Sequence, residues 1–319
     1  MGKLRNRILA LLAFGAASLL SGCKQLVLLN PKGFVARDEK DLLIITLILM
    51  LIIVVPVLIC TLLITYRYRA SNKKAKYDPN FTHSTKLELL WWGLPIIIIA
   101  ILATITWKTT HDLDPYKPIK PIIATDQPIT IEAVSLNWRW LFIYPEQHIA
   151  TINFVEFPVN TPIQFYVSSD APMNSFVIQQ LAGQIYAMSG MRTQLHLLAS
   201  QTGDYTGRSI SFSGDGFSNM SFIARVVNNV DFAHWIATSQ KSKNLLTWNS
   251  YQALVPDSSD TDVYYFKLSD QNLFDEIIEK YTGPDMKMPA TMTQIQKTKM
   301  AEIASMPASC PPKTLSSGK

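Results

Sequence analysis

"LLIITLILMLIIVVPVLICTLLIT", residues 42 to 65, runs for 24 positions without a charged side chain. As a helix it would be about 36 Å long, enough to cross a hydrocarbon core of about 30 Å with some tilt. Pro56 inside it predicts a kink. A second apolar run, "LELLWWGLPIIIIAILATITW" (87 to 107), carries Trp91, Trp92 and Trp107 near its ends, where amphipathic rings favour the headgroup level. The two runs predict a transmembrane hairpin. Its connecting loop, 66 to 86, sets Arg67, Arg69, Lys73, Lys74, Lys76 and Lys86 against Asp78, so the positive-inside rule places the loop in the cytoplasm. Residues 23–41 and everything after Trp107 then lie outside.

The chain as a whole is 48% hydrophobic and 17% charged over 319 residues, which excludes a disordered protein. Residues 1–22 have a basic start (Lys3, Arg5, Arg7), a short apolar run and then "LLSGC", the layout of an export signal. Leu20, Ser21 and Gly22 before Cys23 resemble a bacterial lipobox, which makes Cys23 the lipid-attachment residue. The net charge of +5 is concentrated in the signal and the cytoplasmic loop and predicts no nucleic-acid partner. Cys60 lies within the first span and Cys310 in the tail, so no cysteine pair has metal-site spacing.

From 122 to 230 the pattern changes to short alternating segments: "PITIEAVS", "NWRWLFIYP", "ATINFVEF", "PIQFYVSS", "TQLHLLAS", "RSISFS" and "SFIARVVN". These predict an antiparallel β-sandwich of roughly 100 residues. Helical spacing returns in "DFAHWIATSQ", "NLLTWNSYQALV" and "DQNLFDEIIEKYTGP", so 231–285 is expected to be an aromatic-rich helical extension. Residues 286–319 are polar and Met-rich, without a period, and are expected to form a flexible tail.

"LNWRWLFIYPE", "APMNSFVIQQLAGQIYAMSGMRTQLHLLA" and "GDYTGRSISFSGDGFSNMSFIARVV" behind a two-span hairpin resemble subunit II of the haem-copper terminal oxidases. The resemblance covers about Gly33 to Tyr281. It implies a membrane-anchored chain whose hairpin is followed by an all-β cupredoxin-like sandwich and a short helical extension. In the cytochrome c oxidase branch, the resemblance implies a dinuclear copper centre held by an upstream His and a loop Cys, three residues, Cys, three residues, His, two residues, Met. Here those positions are Asn174, Ser209, Ser213, Phe217 and Met220. Only Met220 matches. A serine hydroxyl is a neutral hard donor, a phenyl ring donates nothing, and a lone thioether is weak, so the set lacks the soft donors copper favours.

The emptied loop resembles the quinol-oxidase branch, most of all the cytochrome bo type. That branch implies a proton-pumping ubiquinol oxidase of a bacterial inner membrane, with the sandwich in the periplasm. No cofactor is expected in this chain; haems and copper would sit in subunit I, which would also bind ubiquinol. Partners implied are subunit I, smaller subunits and membrane lipid, and cytochrome c is excluded as donor. The aromatic block with Trp248, Tyr251, Tyr264, Tyr265, Phe266, Phe274 and Tyr281 resembles the extension of quinol-oxidase subunits. A menaquinol-using oxidase subunit stays open, as does a membrane-anchored periplasmic binding lipoprotein; an unusual copper electron carrier is disfavoured by the ligand set.

Glu88 matches a family position at the mouth of a proton path into subunit I, a task suited to a carboxylate at a membrane entrance. The plainer reading is an interfacial charge paired with Lys86. Trp138 and Trp140 match the aromatic stretch that feeds copper in the cytochrome c branch and are expected here to serve packing. His83, His111, His148, His196 and His234 show no ligand spacing, and Asp215 alone is far from a calcium site. No catalytic residue is expected.

Overall fold

The structure, a computed structural model, describes residues 26–75, 79–119, 127–258 and 260–282. The expected signal, Cys23 with its lipid, Cys310 and the tail from 286 lie outside the described residues.

The two apolar runs form helix α1 (Phe34–Arg67) and helix α2 (Thr85–Asp112). Each extends past its apolar run, because the flanking residues "FVARDEKD" and "KTTHD" include good helix formers and no Gly or Pro. Pro56 and Pro95 lie inside the helices. The hydroxyls of Thr46, Thr61, Thr65, Thr104 and Thr109 all donate to carbonyls of their own helix, so the surfaces left facing outward are apolar. Leu62, Leu89 and Trp107 are each more than two-thirds exposed.

The external domain has two sheets. Strands β1 (Ile129–Ser135), β2 (Trp140–Tyr144), β3 (Ile149–Ile152), β5 (Ile163–Ser169) and β8 (Thr193–Leu197) belong to one. Strands β4 (Phe154–Pro158), β6 (Asn174–Val177), β7 (Gln184–Ala187), β9 (Gly203–Ser209) and β10 (Ser221–Val227) form the other, in the order β4-β10-β9-β6-β7. The expected antiparallel sandwich is in fact mixed: β1 pairs β5 and β10 pairs β4 in parallel. The cause lies at Asn153, whose φ of 56° pivots the chain from one sheet to the other between β3 and β4. Asn tolerates this left-handed conformation, and here its Oδ1 accepts from Trp140 N at 3.0 Å while its own N–H donates to Trp140 O at 2.8 Å.

Between the sheets, Trp140, Phe142, Phe165, Phe176 and Phe222 are almost fully buried. Trp140 meets Phe176 edge-on at 5.2 Å, and Phe176 stacks on Phe222 at 5.2 Å, favourable arrangements for aromatic quadrupoles.

The extension has a helix in each of the three expected segments and adds two strands that the pattern did not predict. Helix α3 (Asn229–Ser239), capped by Asn228, is followed by strand β11 (Leu245–Leu246), helix α4 (Trp248–Gln252), strand β12 (Tyr264–Leu268) and helix α5 (Leu273–Glu279). Strand β12 pairs antiparallel with β3, so the first sheet becomes β11-β12-β3-β2-β1-β5-β8. Tyr264, Tyr265 and Phe266 suit a pleated edge better than a helix. Helix α5 buries Leu273, Phe274, Ile277 and Ile278 in a second core with Val134, Leu141, Ile143 and Tyr251.

The segment before α1 is tied to the sandwich. Lys32 N and Gly33 N both donate to Gln180 O (2.7 and 2.9 Å), Phe34 N to Leu198 O, and Ser200 N to Lys32 O. A Cβ at Gly33 would stand 2.0 Å from Leu181 O, so only glycine fits that approach.

Candidate functional site

Strand β9 ends at Ser209 and β10 begins at Ser221. The loop between them returns through a 3-10 turn, Phe217–Asn219. "RSISFS" is therefore strand only to Ser209, because Ile210 N and Ser211 N both donate to Ser175 Oγ at 2.9 Å instead of to a neighbouring strand. Strand β6, which carries Asn174 and Ser175, pairs with β9 at Phe176 and Ser209. This pairing puts all five sequence-marked positions on one end of one sheet.

Three of them touch. Asn174 Nδ2 lies 3.2 Å from Ser213 Oγ and 3.2 Å from Met220 Sδ, and both Asn174 and Met220 are buried. Ser209 N donates to Met220 O at 3.3 Å, while Ser209 Oγ accepts from Trp140 Nε1 at 3.2 Å. Phe217 turns away from this group and packs edge-on against Phe212, ring centroids 5.6 Å apart. The Asn174 Oδ1 accepts from Ser175 N at 3.0 Å, so the amide nitrogen, which has no lone pair to offer a cation, faces the centre.

These residues do not fit the copper centre of the cytochrome c branch. Two neutral hydroxyls, an inward N–H, a phenyl ring and one thioether that already accepts a hydrogen bond supply neither bridging thiolate nor imidazole. Among the described residues no group of three or more His, Cys, Asp or Glu side chains could hold a metal ion.

Trp138 does more than the expected packing. Its backbone has φ 64°, and its Nε1 donates to Ser213 O at 3.0 Å. Cβ atoms built on Gly214 and Gly216 would come within 3.2 and 2.3 Å of its ring. The indole thus lies against the loop; a side chain at Gly216 would collide with it, and Gly214 is required as well by its φ of 111°. Trp140, by contrast, is a core residue. Sequence reasoning missed Ser175, whose hydroxyl gathers the loop; its place beside Asn174 was the only available signal.

A second polar group joins sandwich and extension. The Asp170 carboxylate is fully buried and accepts from Tyr251 Oη at 2.6 Å, from Lys280 Nζ at 2.7 Å and from Tyr281 Oη. Burial first, then the bond to Asp170, raises the Tyr251 phenol, and the same causes push Tyr281 up to about 12. Nearby, Arg192 pairs with Asp275 and lies over the rings of Tyr166 and Phe274. Glu132 stands beside that pair with Oε2 lacking a hydrogen-bond partner. Desolvation pushes its carboxyl up to about 8, with Arg192 opposing and Asp275 reinforcing the rise.

Glu88 occupies the first turn of α2, half-buried, and forms no ion pair with Lys86. An acid there complements the positive helix end without any partner. His196 bonds Pro115 O through Nδ1 at 3.0 Å, and burial lowers its basicity.

Comparison with known proteins adds the following. The family model described as cytochrome C oxidase subunit II, transmembrane domain, matches residues 36–108, and the model described as COX aromatic rich motif matches residues 240–285. The chain is 43% identical to the cytochrome bo(3) ubiquinol oxidase subunit 2 of Pseudomonas putida over 95% of this chain and 96% of the relative. It is 36% identical to the quinol oxidase subunit 2 of Bacillus anthracis, covering 78% of this chain and 85% of the relative. Among solved structures, the periplasmic domain of cytochrome oxidase subunit II from Bradyrhizobium japonicum matches at 23% identity and a TM-score of 0.35, over 37% of this chain and 98% of that one.

Proposed function

This chain belongs to the quinol oxidase subunit 2 family, and we propose that within it the chain is the redox-silent subunit II of a proton-pumping ubiquinol oxidase. The single observation that carries this reading is the centre of the old ligand loop, where Asn174 points an N–H at Ser213 and Met220. With no copper port for a water-soluble donor, electrons would have to enter from quinol within the membrane, through haems and copper in subunit I. Ubiquinol is preferred over menaquinol because the more similar of the two relatives is named a ubiquinol oxidase subunit, at 43% against 36% identity.

In this reading the subunit scaffolds subunit I and the smaller subunits. Apolar helix surfaces with Thr46, Thr61, Thr65, Thr104 and Thr109 turned back on their own backbone are suited to packing against apolar neighbours and lipid. The chain would sit in a bacterial inner membrane with Cys23 lipidated and the sandwich in the periplasm. Glu88, unpaired among the described residues in the first turn of α2, would gather protons at the cytoplasmic mouth of a path into subunit I. Glu88→Gln is expected to slow oxygen uptake and proton release together by roughly tenfold, and a variant as fast as the parent would remove that role.

The decisive experiment is purification of the tagged chain from its own membranes in mild detergent, with metal analysis and oxygen uptake. A haem protein should accompany it, with uptake driven by ubiquinol and not by reduced cytochrome c. Two further coppers with cytochrome c activity, or a chain that purifies alone, would overturn the proposal.

A further inference from the structure

Where the hairpin meets the sandwich there is a cavity of about 100 Å³ lined by Val35 and Glu39 of α1, by the turn from Asp112 to Pro115 after α2, and by Gly183, Gln184, Leu195 and His196 of the sandwich. Besides the exposed Gln184 amide, its polar side chains include two with unengaged acceptors. His196 is only 6% exposed; with Nδ1 and the backbone N–H both engaged by Pro115 O, its Nε2 has no hydrogen-bond partner among the described residues. Glu39 is likewise without a hydrogen bond or ion pair among them. Its carboxylate sits against the sandwich because residue 183 is glycine: a Cβ there would stand 2.5 Å from Glu39 Oε1. The neighbouring acids are already occupied, Asp112 by Lys117 at 3.2 Å and Asp114 by Tyr116 N at 2.9 Å. Lys40 pairs with Asp41 at 3.8 Å. Glu39 and His196 therefore line the same small space, each with an acceptor that no described residue engages.

The depth of that space limits what can fill it. Glu39 precedes the apolar run at Leu42 by three residues, about 4.5 Å of helix, and Asp112 follows Trp107 by five, about 7.5 Å. The polar layer on each side of a bilayer is about 5–8 Å thick. The cavity thus lies in the outer headgroup layer. At about 30 Å³ for each water-sized group, it has room for about three such groups, the length of a two-carbon chain ending in nitrogen.

We propose that this junction is a binding site for the primary ammonium headgroup of an aminophospholipid of the outer leaflet, with Glu39 as counter-ion and His196 Nε2 as hydrogen-bond acceptor. An ethanolammonium group carries three N–H donors and one positive charge, matching two acceptors of which one is anionic. A quaternary choline group has the charge and no N–H donor. The same ammonium chemistry is available from free ethanolamine, but the depth of the cavity favours the lipid. The occupied site would join the three elements that set the angle between hairpin and sandwich. The inference depends on the membrane placement of the hairpin and not on which quinol the oxidase uses.

The test is native mass spectrometry of the purified oxidase complex titrated with phosphatidylethanolamine, phosphatidylcholine, phosphatidylglycerol or free ethanolamine, for the parent and for Glu39→Gln. The parent should retain one more phosphatidylethanolamine than the variant, with affinity at that site at least about tenfold higher, and neither of the other lipids should replace it. Equal retention by parent and variant overturns the proposal. So does equal binding of phosphatidylcholine to the parent, which also decides the matter if the variant fails to assemble. Occupancy by free ethanolamine with no difference among the lipids overturns the lipid as the source.

Discussion

The loop from Ser209 to Met220 and the extension from Gln240 to Thr282 are both fastened to the sandwich by buried polar groups, one with neutral partners and the other with charge. The loop relies on Asn174, Ser175, Trp138 and Trp140, none of them ionisable near neutral pH, each bond a neutral amide, hydroxyl or indole contact. The extension relies on the Asp170 carboxylate with one ammonium and two phenols, and on Arg192 with Asp275. Neutral contacts keep this loop in shape at small energies, about 1 kcal/mol each. A buried carboxylate is costly to isolate, so the charged anchor is the stronger and more fragile of the two.

The largest effect should come from breaking the charged anchor. Asp170→Ala leaves Tyr251, Lys280 and Tyr281 without their acceptor and is expected to cost about 3–5 kcal/mol, read as earlier denaturation and as faster amide exchange confined at first to residues 264–282. Uniform exchange over the sandwich would show that the extension is not held separately by Asp170.

Glu132 sharpens the contrast through pH. Its carboxyl keeps a proton up to about 8 in the docked state against 4.5 when exposed. The stability it contributes is therefore complete below 4.5, declines as pH rises and levels off above about 8. Glu132→Gln should remove that slope and be the more stable form at pH 8, by an amount on the order of a few kcal/mol. A denaturation series across this range in both proteins decides it; parallel curves would count against a docked, protonated Glu132.

On the loop side, Gly216→Ala drives a methyl to 2.3 Å from the Trp138 ring and should cost about 1–3 kcal/mol, with altered Trp fluorescence. The smallest effect on quinol oxidation is expected from the most drastic loop change. Asn174→His, Ser209→Cys, Ser213→Cys and Phe217→His together should give the purified complex two coppers beyond that of subunit I while its oxygen uptake with ubiquinol stays unchanged. Uptake that collapses would mean the neutral loop itself serves the reaction.

How legible each region was in the sequence follows the same division. The spans could be read from composition because their environment is uniform. The loop could be read only through the family resemblance, which marks Ser209, Ser213, Phe217 and Met220 in the loop and Asn174 upstream of it. Strand β6, "NSFV", was hidden because all four residues are buried and show no alternation, and β7, "QIYA", because its exposure hides the apolar signal. In the extension the helices were legible, but the strand "YYFKL" was not, because it takes its conformation from β3, more than a hundred residues earlier. Asp170 gave no local sign at all: its partners are 81, 110 and 111 residues away.

The strap at Asn30 to Gly33 bears on how the molecule is made. Its hydrogen bonds go to Gln180, 150 residues downstream of Asn30, with both spans threaded in between. At about 5–20 residues per second, ribosomal synthesis separates the two ends by about 8 to 30 seconds. The first span must therefore wait in the membrane with its outer end unfastened until the polypeptide has crossed back and the sandwich has closed. Completion of that ring is a late event in biogenesis, and it locks a segment that was synthesised first.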